Sequence, residues 1–154
     1  MPELRHSASV VVACPPETLY AMVSDVTRTG EWSPTCRACW WDEGAGPTPG
    51  SWFTGRNQTP TRVWETRSQV VVADPGREFA WLVGGSLVRW GFTMSPVEGG
   101  TELTESWEFL PAGQEMFSER FGDDAQAQVL DRTQTAHAGI PVTLAAIKAA
   151  AEAT

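Results

Sequence analysis

Between residues 36 and 110, apolar and polar side chains alternate along several short segments, and this pattern constrains the fold more than any other feature. Alternation is typical of β-strands with one buried face, because successive side chains point to opposite sides of a strand. Turn-forming residues separate the segments at 74–76, 84–85 and 98–100. Gly84-Gly85 predicts a tight hairpin turn, since glycine tolerates positive φ. The pattern therefore predicts six antiparallel strands.

The first three of these strands are predicted at residues 37–42, 51–57 and 62–73, with a loop at 44–50. One face of the longest strand is expected to carry Trp64, Thr66, Ser68, Val70 and Val72. The corresponding faces of the last three strands carry Phe79, Trp81 and Val83, then Val88, Trp90, Phe92 and Met94, then Leu103, Glu105, Trp107 and Phe109. The sheet is therefore predicted to be rich in tryptophan.

The segments on either side of this region complete the predicted fold. Residues 4–13 alternate and predict a first strand, which ends at Pro15-Pro16. Proline suits the first turn of a helix, so a short helix is predicted at 16–24. Asp25 is expected to cap a second short helix near 26–31. Residues 111–123 are interpreted as a loop or a short helix.

A long helix is predicted from residue 124 to 152, capped by Asp123 or Asp124. Its buried stripe is predicted to contain Val129, Thr133, Ala136, Ile140, Thr143, Leu144 and Ile147. Pro141 lies inside this helix and removes one backbone hydrogen bond, so a bend eased by Gly139 is expected.

The predicted order of elements gives the fold class and suggests a cavity. The chain is expected to be one α+β domain over residues 1–154, with a curved seven-stranded antiparallel sheet, two short helices after the first strand and a long C-terminal helix. A sheet of this size twists strongly. A single helix cannot fill its concave face, so an apolar cavity is expected between them.

Composition narrows the possible partners and the location. The 19 acidic and 11 basic side chains give a net charge of -8, which disfavours nucleic acid and anionic membrane surfaces. The sequence contains no apolar stretch of the roughly 20 residues that span a bilayer, and no signal peptide is evident. Three cysteines fit a reducing compartment. A cytoplasmic protein is therefore predicted.

Four segments carry a resemblance to a known family. The segment 13–25, ACPPETLYAMVSD, resembles the APPE-x-VY-x-x-V-x-D pattern of the bacterial polyketide cyclase/dehydrase group in the START/Bet v 1-like (SRPBCC) superfamily. Segments 31–34 (EWSP), 50–57 (GSWFTGRN) and 99–106 (GGTELTES) are similar to members of the same group. The resemblance implies a helix-grip fold. It also implies a cavity for lipids, polyketides or other hydrophobic small molecules, in a family that includes cyclases and transporters.

The aromatic residues of the sheet are the first candidates for ligand contact. Trp64, Trp81, Trp90, Phe92 and Trp107 recur across successive strands and would suit a ring-containing ligand. Ordinary core packing is the alternative interpretation. Arg89 and Ile140 complete the candidate ligand-binding set.

Two residues are candidates for acid–base chemistry. Glu105 lies in the apolar register between Leu103 and Trp107, and an inward carboxyl would have a raised pKa. The alternatives are a salt bridge to Arg89 or an outward orientation. His137 lies at the edge of the long helix's buried stripe and could act as a base or simply face solvent.

The remaining motifs favour structural roles. Cys36-Arg37-Ala38-Cys39 is a C-x-x-C motif, but a tryptophan-rich strand follows it and no matching ligands accompany it. His6 is expected on the first strand, at the sheet edge. No metal or cofactor is predicted. A mobile lid over the cavity, or a homodimer contact, could be formed by Met116, Phe117 and Phe121.

Three functions are compatible with these observations. The favoured hypothesis is the binding of a hydrophobic, ring-containing small molecule, lipid or polyketide-like, inside the cavity. The second is a polyketide cyclase, aromatase or dehydratase that uses Glu105, Arg89 or His137 to move protons. A regulatory protein that uses the fold for protein contacts is the third. The second hypothesis requires Glu105 or His137 to face the cavity, and it loses its main residues if both face solvent.

Overall fold

A computed structural model describes residues 4–153; residues 1–3 and 154, which the predicted domain includes, lie outside the described residues. The seven strands are β1 (Arg5–Val12), β2 (Cys36–Trp41), β3 (Trp52–Thr59), β4 (Arg62–Asp74), β5 (Glu78–Val83), β6 (Val88–Val97) and β7 (Gly100–Phe109). They form one antiparallel sheet in the order β1-β7-β6-β5-β4-β3-β2. The strands from β2 to β7 lie in chain order, because each one pairs with the next along the chain.

Two short helices follow β1, as predicted. Helix α1 (Pro16–Val23) begins with proline and buries Leu19, Met22 and Val23. A 3-10 helix (Val26–Glu31) comes next, and the Asp25 side chain accepts a hydrogen bond from the Thr27 backbone N–H at 3.1 Å. This contact is the N-cap that the sequence predicts.

The segment after β7 is helical over most of its length. Helix α2 (Pro111–Phe121) and a 3-10 turn (Gly122–Asp124) lead into the long helix α3 (Ala125–Glu152). Helix α3 runs unbroken through Pro141, and the predicted bend there stays a prediction. Asp124 is its N-cap residue, but the carboxylate makes no side-chain cap bond and instead accepts from the Gln128 amide at 2.8 Å.

The buried stripe of α3 faces the sheet and closes the core. All the predicted stripe residues except the half-buried Val129 are buried: Thr133, Ala136, Ile140, Thr143, Leu144 and Ile147. Ile140 and Ile147 are at most 1% exposed. The apolar side chains of α1, the sheet and α3 form one connected cluster. No helix within residues 4–153 is long and apolar enough to cross a membrane.

Two local features of the sheet differ from the sequence prediction. Val70 pairs with Trp81, but Val72 pairs with Ala80, so a bulge at Val71 shifts the register of β4. The inserted residue turns Val72 away from the face that carries Val70, and the prediction that they share a face is wrong. Both Gly84 and Gly85 adopt positive φ as predicted, but the connection between β5 and β6 spans four residues, 84–87.

Candidate functional site

A cavity of about 760 Å³ lies between the concave face of the sheet and the helices α2 and α3. Strands β2 to β7 all contribute to its wall, as does the 3-10 helix after α1. Ligand cavities for drug-sized molecules have volumes of roughly 300–1,000 Å³. The space is therefore large enough for a molecule with several fused rings.

A row of three tryptophans crosses the cavity wall. Trp81 of β5 lies directly opposite Trp90 of β6, which lies opposite Trp107 of β7. Phe53 packs edge-on against Trp81, with ring centroids 6.0 Å apart, and Phe92 lies at the same distance from Trp81. The cavity is lined by six of the predicted ligand-contact residues: Trp64, Trp81, Trp90, Phe92, Trp107 and Ile140.

Glu105 is the buried carboxyl of this wall. Its position on β7, between Leu103 and Trp107, turns it inward, and Phe92 lies directly opposite on β6. The residue is 5% exposed, and its Oε1 atom has no hydrogen-bond partner among residues 4–153. Burial raises its pKa to about 8 because the apolar surroundings disfavour the charged form. Glu105 is therefore protonated at neutral pH and available to a bound molecule.

The structure places Arg89 outside the cavity. Its neighbour Trp90 lines the cavity, so the alternation of β6 directs Arg89 to the other face of the sheet. There its guanidinium forms a salt bridge with Glu78 at 3.0 Å. Arg89 pairs with Glu108 in the register of β6 and β7, not with Glu105. The alternative in which Arg89 neutralises Glu105 is therefore wrong. The contact of Arg89 with a ligand stays a prediction.

His137 also lies outside the cavity lining. It is exposed on α3 and stacks on His6, with ring centroids 4.1 Å apart and an interplanar angle of 21°. Its ring meets the edge of Trp107 at 6.3 Å. His6 lies on β1 opposite Trp107, at the sheet edge as predicted. The two histidines therefore cover the outer end of the tryptophan row, and His137 does not share the cavity with Glu105.

Cys36 and Cys39 lie together on the cavity wall, which sequence reasoning missed. Regular alternation would put positions i and i+3 on opposite faces of a strand. A bulge shifts the register between Cys36 and Ala38, so the two sulfur atoms lie 3.2 Å apart beside Gly55. A hydrogen bond from the Cys36 thiol, and to a smaller extent one from the Thr29 hydroxyl, lower the pKa of Cys39 despite its burial. The pKa of Cys36 is raised, chiefly by the same hydrogen bond to Cys39 and by burial.

The described residues contain no cluster of three or more histidine, cysteine or acidic side chains that could hold a metal ion. A structural zinc site needs four ligands, and the cysteine pair supplies two of them. The pair forms a polarisable patch on the part of the wall that β2 contributes.

Helix α2 supplies part of the wall, through the three residues that the sequence analysis singled out as a lid or a dimer contact. Phe117 is buried and packs edge-on against Phe109 at 5.0 Å and Phe121 at 5.1 Å. With Met116, these side chains line the cavity. Their role as a mobile lid or a dimer contact stays a prediction.

Four arginines also line the cavity and were not singled out in the sequence: Arg62, Arg67, Arg120 and Arg132. Arg67 forms a salt bridge with Asp42, and the other three are considered together. Arg62 begins β4, Arg120 lies near the end of α2, and Arg132 lies on α3. We call these three residues the arginine cluster. Only the spacing of Arg62 and Trp64, which places both on one face of β4, gave a local signal for any of them.

Comparison with known proteins supports the fold described above. The sequence matches, over residues 3–138, the profile of the family described as polyketide cyclase/dehydrase and lipid transport. The solution structure of the Polyketide_cyc-like protein Cgl2372 from Corynebacterium glutamicum is 53% identical and has a TM-score of 0.70. That match covers 96% of this chain and 91% of the other. No curated protein matches the sequence significantly.

Two more distant structures share the fold alone. The di-domain ARO/CYC StfQ from the steffimycin biosynthetic pathway is 18% identical, with a TM-score of 0.71, and the match covers 97% of this chain but 51% of StfQ. Ara h 8.0201 is 15% identical, with a TM-score of 0.62 and coverage of 97% and 98%. The predicted helix-grip fold is thereby confirmed. Because the family profile matches most of its length, the chain belongs to the polyketide cyclase/dehydrase and lipid transport family.

Proposed function

We propose that the cavity binds a hydrophobic, ring-containing small molecule, lipid or polyketide-like. The observation that carries the proposal is the row formed by Trp81, Trp90 and Trp107 on the wall of a 760 Å³ cavity. Indole rings offer large flat apolar surfaces on which planar ligands stack. Membership of this family supports either hydrophobic ligand binding or a cyclase role, and the geometry favours binding.

Glu105 gives the proposed ligand a polar requirement. A protonated carboxyl can donate one hydrogen bond and accept others. Since its Oε1 atom lacks a partner within the described chain, a ligand hydroxyl or carbonyl near it would satisfy a group that is otherwise buried without a hydrogen bond. The ligand is therefore expected to be mostly apolar, with at least one polar group close to β7.

The test compares a variant that fills the cavity with one that does not. Thr66 lines the cavity on β4, so Thr66→Phe would extend an aromatic ring into the cavity. Ser95 is exposed on β6 and does not line the cavity, and Ser95→Phe is the matched control. Fluorescence titration with the neutral apolar probe N-phenylnaphthylamine, together with native mass spectrometry for co-purified ligands, measures occupancy.

We expect the wild-type protein and Ser95→Phe to bind the probe with similar affinity. Thr66→Phe is expected to lose most of the binding while keeping its far-UV circular dichroism spectrum. Two results would contradict the proposal. One is equal binding by folded Thr66→Phe, and the other is the absence of both probe binding and co-purified ligand in the wild-type protein.

Acid–base catalysis on a polyketide-like chain is the second candidate, and Glu105 is the observation that favours it. A carboxyl with a pKa of about 8 exchanges a proton near neutral pH, which cyclisation and dehydration require. His137, the other residue of the predicted acid–base pair, does not line the cavity and cannot act there together with Glu105. Glu105→Gln keeps the shape but cannot transfer a proton. Equal conversion of a linear polyketone by wild type and Glu105→Gln would exclude this role for Glu105.

A cytoplasmic location and homodimer formation are also part of the proposal and stay predictions. All three cysteines are free, which fits a reducing compartment. Size-exclusion chromatography with light scattering would measure the oligomeric state directly.

A further inference from the structure

The arginine cluster brings three cationic side chains from three separate elements to one part of the cavity wall. The Arg62 guanidinium lies over the Trp64 ring at 3.9 Å. Two further guanidinium–ring contacts involve α2 and α3: Arg120 over Phe121 at 5.3 Å and Arg132 over Phe117 at 5.5 Å. All three aromatic rings also line the cavity. Each guanidinium is therefore held against the rings that a bound molecule would touch.

The charges of this cluster are incompletely balanced. Arg132 contacts Asp131 at 2.7 Å and Gln128 at 3.2 Å. Within residues 4–153, Arg62 and Arg120 form no salt bridge, whereas Arg56 on the neighbouring strand pairs with a carboxylate at 3.1 Å. Excess positive charge thus gathers beside an apolar cavity in a chain whose net charge is -8.

The electrostatic environment of Arg62 reflects this imbalance. Burial lowers its pKa, and the nearby charges of Arg132 and Arg120 lower it further, while Asp131 acts in the opposite direction. Like charges repel each other more strongly where water is partly excluded than in bulk water. A bound anion would relieve this repulsion. The carboxyl of Glu105, which lines the same cavity, would not repel this anion, because burial keeps Glu105 neutral at pH 7.

We infer that the arginine cluster binds an anionic group of the cavity's ligand, a carboxylate or another oxyanion attached to its apolar ring system. This inference rests on the proposed function and specifies the class of ligand. Guanidinium groups suit oxyanions because they offer paired N–H donors in a planar fork. The apolar part of the ligand would contact the tryptophan row while its charged end contacts Arg62, Arg120 and Arg132.

Two probes with the same ring system separate the charge from the apolar body. Anilinonaphthalene sulfonate carries a sulfonate, and N-phenylnaphthylamine lacks it. We expect the wild-type protein to bind the sulfonate at least about ten-fold more tightly at low salt, as charge-assisted hydrogen bonds imply. Added sodium chloride should reduce this preference, because the cluster is partly exposed to solvent.

Substitutions then show which residues cause the preference for the sulfonate probe. Arg62→Gln and Arg120→Gln should each lose most of the preference for the sulfonate, measured as the ratio of the two affinities. The far-UV circular dichroism spectrum shows that each variant is folded. Arg56→Gln is the matched control, because Arg56 does not line the cavity. It removes the same charge from the same sheet and should keep the preference.

The outcomes distinguish this inference from the proposed function. Equal affinity of the wild-type protein for both probes would overturn the inference and leave the binding proposal standing. Binding of neither probe would overturn the proposed function itself. A sulfonate preference that persists unchanged in Arg62→Gln and Arg120→Gln would also overturn the inference. So would thermal stabilisation of the wild-type protein by sulfate alone that Arg62→Gln lacks, since the cluster would then be a site for a free anion.

Discussion

Replacing Glu105 by glutamine tests whether the buried carboxyl controls stability as a function of pH. Burial raises its pKa in the folded protein from the ordinary 4.5 to about 8. Below about pH 4.5 the carboxyl is protonated in both states and its ionisation costs nothing. Between about pH 4.5 and 8 only the unfolded chain ionises, so wild-type stability falls as pH rises. Above the folded pKa the whole cost is present.

The expected size follows from this difference in pKa. Each pH unit in the window costs about 1.4 kcal/mol, so the ionisation of Glu105 should cost about 3 kcal/mol at pH 7. That is a large part of the 5–15 kcal/mol that is roughly typical of small domains. Glutamine has nearly the same shape and does not ionise. Glu105→Gln should therefore gain about 3 kcal/mol relative to wild type between about pH 4.5 and pH 7.

Urea denaturation followed by circular dichroism across this pH range measures the effect. The informative quantity is the change with pH of the difference in unfolding free energy, because any constant cost of burying the glutamine amide cancels. Glu102→Gln is the matched control, since Glu102 is exposed on the same strand and should show no such change. Parallel stability curves for wild type and Glu105→Gln would refute the argument that burial dominates the environment of Glu105.

Two further predictions concern the cysteine pair and the core. Alkylation of Cys36 and Cys39 by iodoacetamide should slow when N-phenylnaphthylamine fills the cavity, whereas Cys14, which does not line it, should react at an unchanged rate. Peptide mass spectrometry reports each cysteine separately, and no protection of the pair by a bound probe would contradict its position on the wall. Phe79→Ala should lower the unfolding free energy by about 3–5 kcal/mol, because the ring is fully buried. Urea denaturation measures this loss, and a loss below about 1 kcal/mol would be inconsistent with a packed core at Phe79.

The orientation of Glu105 could be predicted because it depends on a local period. Leu103, Glu105 and Trp107 alternate with polar residues, and β7 carries no bulge in its pairing with β6 or β1. Two-residue alternation then directs all three side chains to one face. The same argument located the tryptophan row, and the 3.6-residue period of α3 located Ile140.

This argument fails wherever a strand contains a bulge. One extra residue reverses the alternation of a strand, and nothing in the local pattern around Arg37 or Val71 announced it. The face of Val72 was therefore predicted wrongly. For the same reason, Cys36 and Cys39 could not be placed side by side from their spacing alone.

The sequence by itself determined the strands, their turns, the long helix and the inward face of the sheet, because each depends on residues close together along the chain. Only the tertiary structure decided the chemistry of the cavity. Arg62 of β4 is far along the chain from Arg120 of α2 and Arg132 of α3, and the contact of His137 with His6 joins α3 to β1. The pKa of Glu105 likewise depends on how completely neighbouring strands and helices exclude water. Charge and desolvation act through space, so their effects appear only when distant segments pack together.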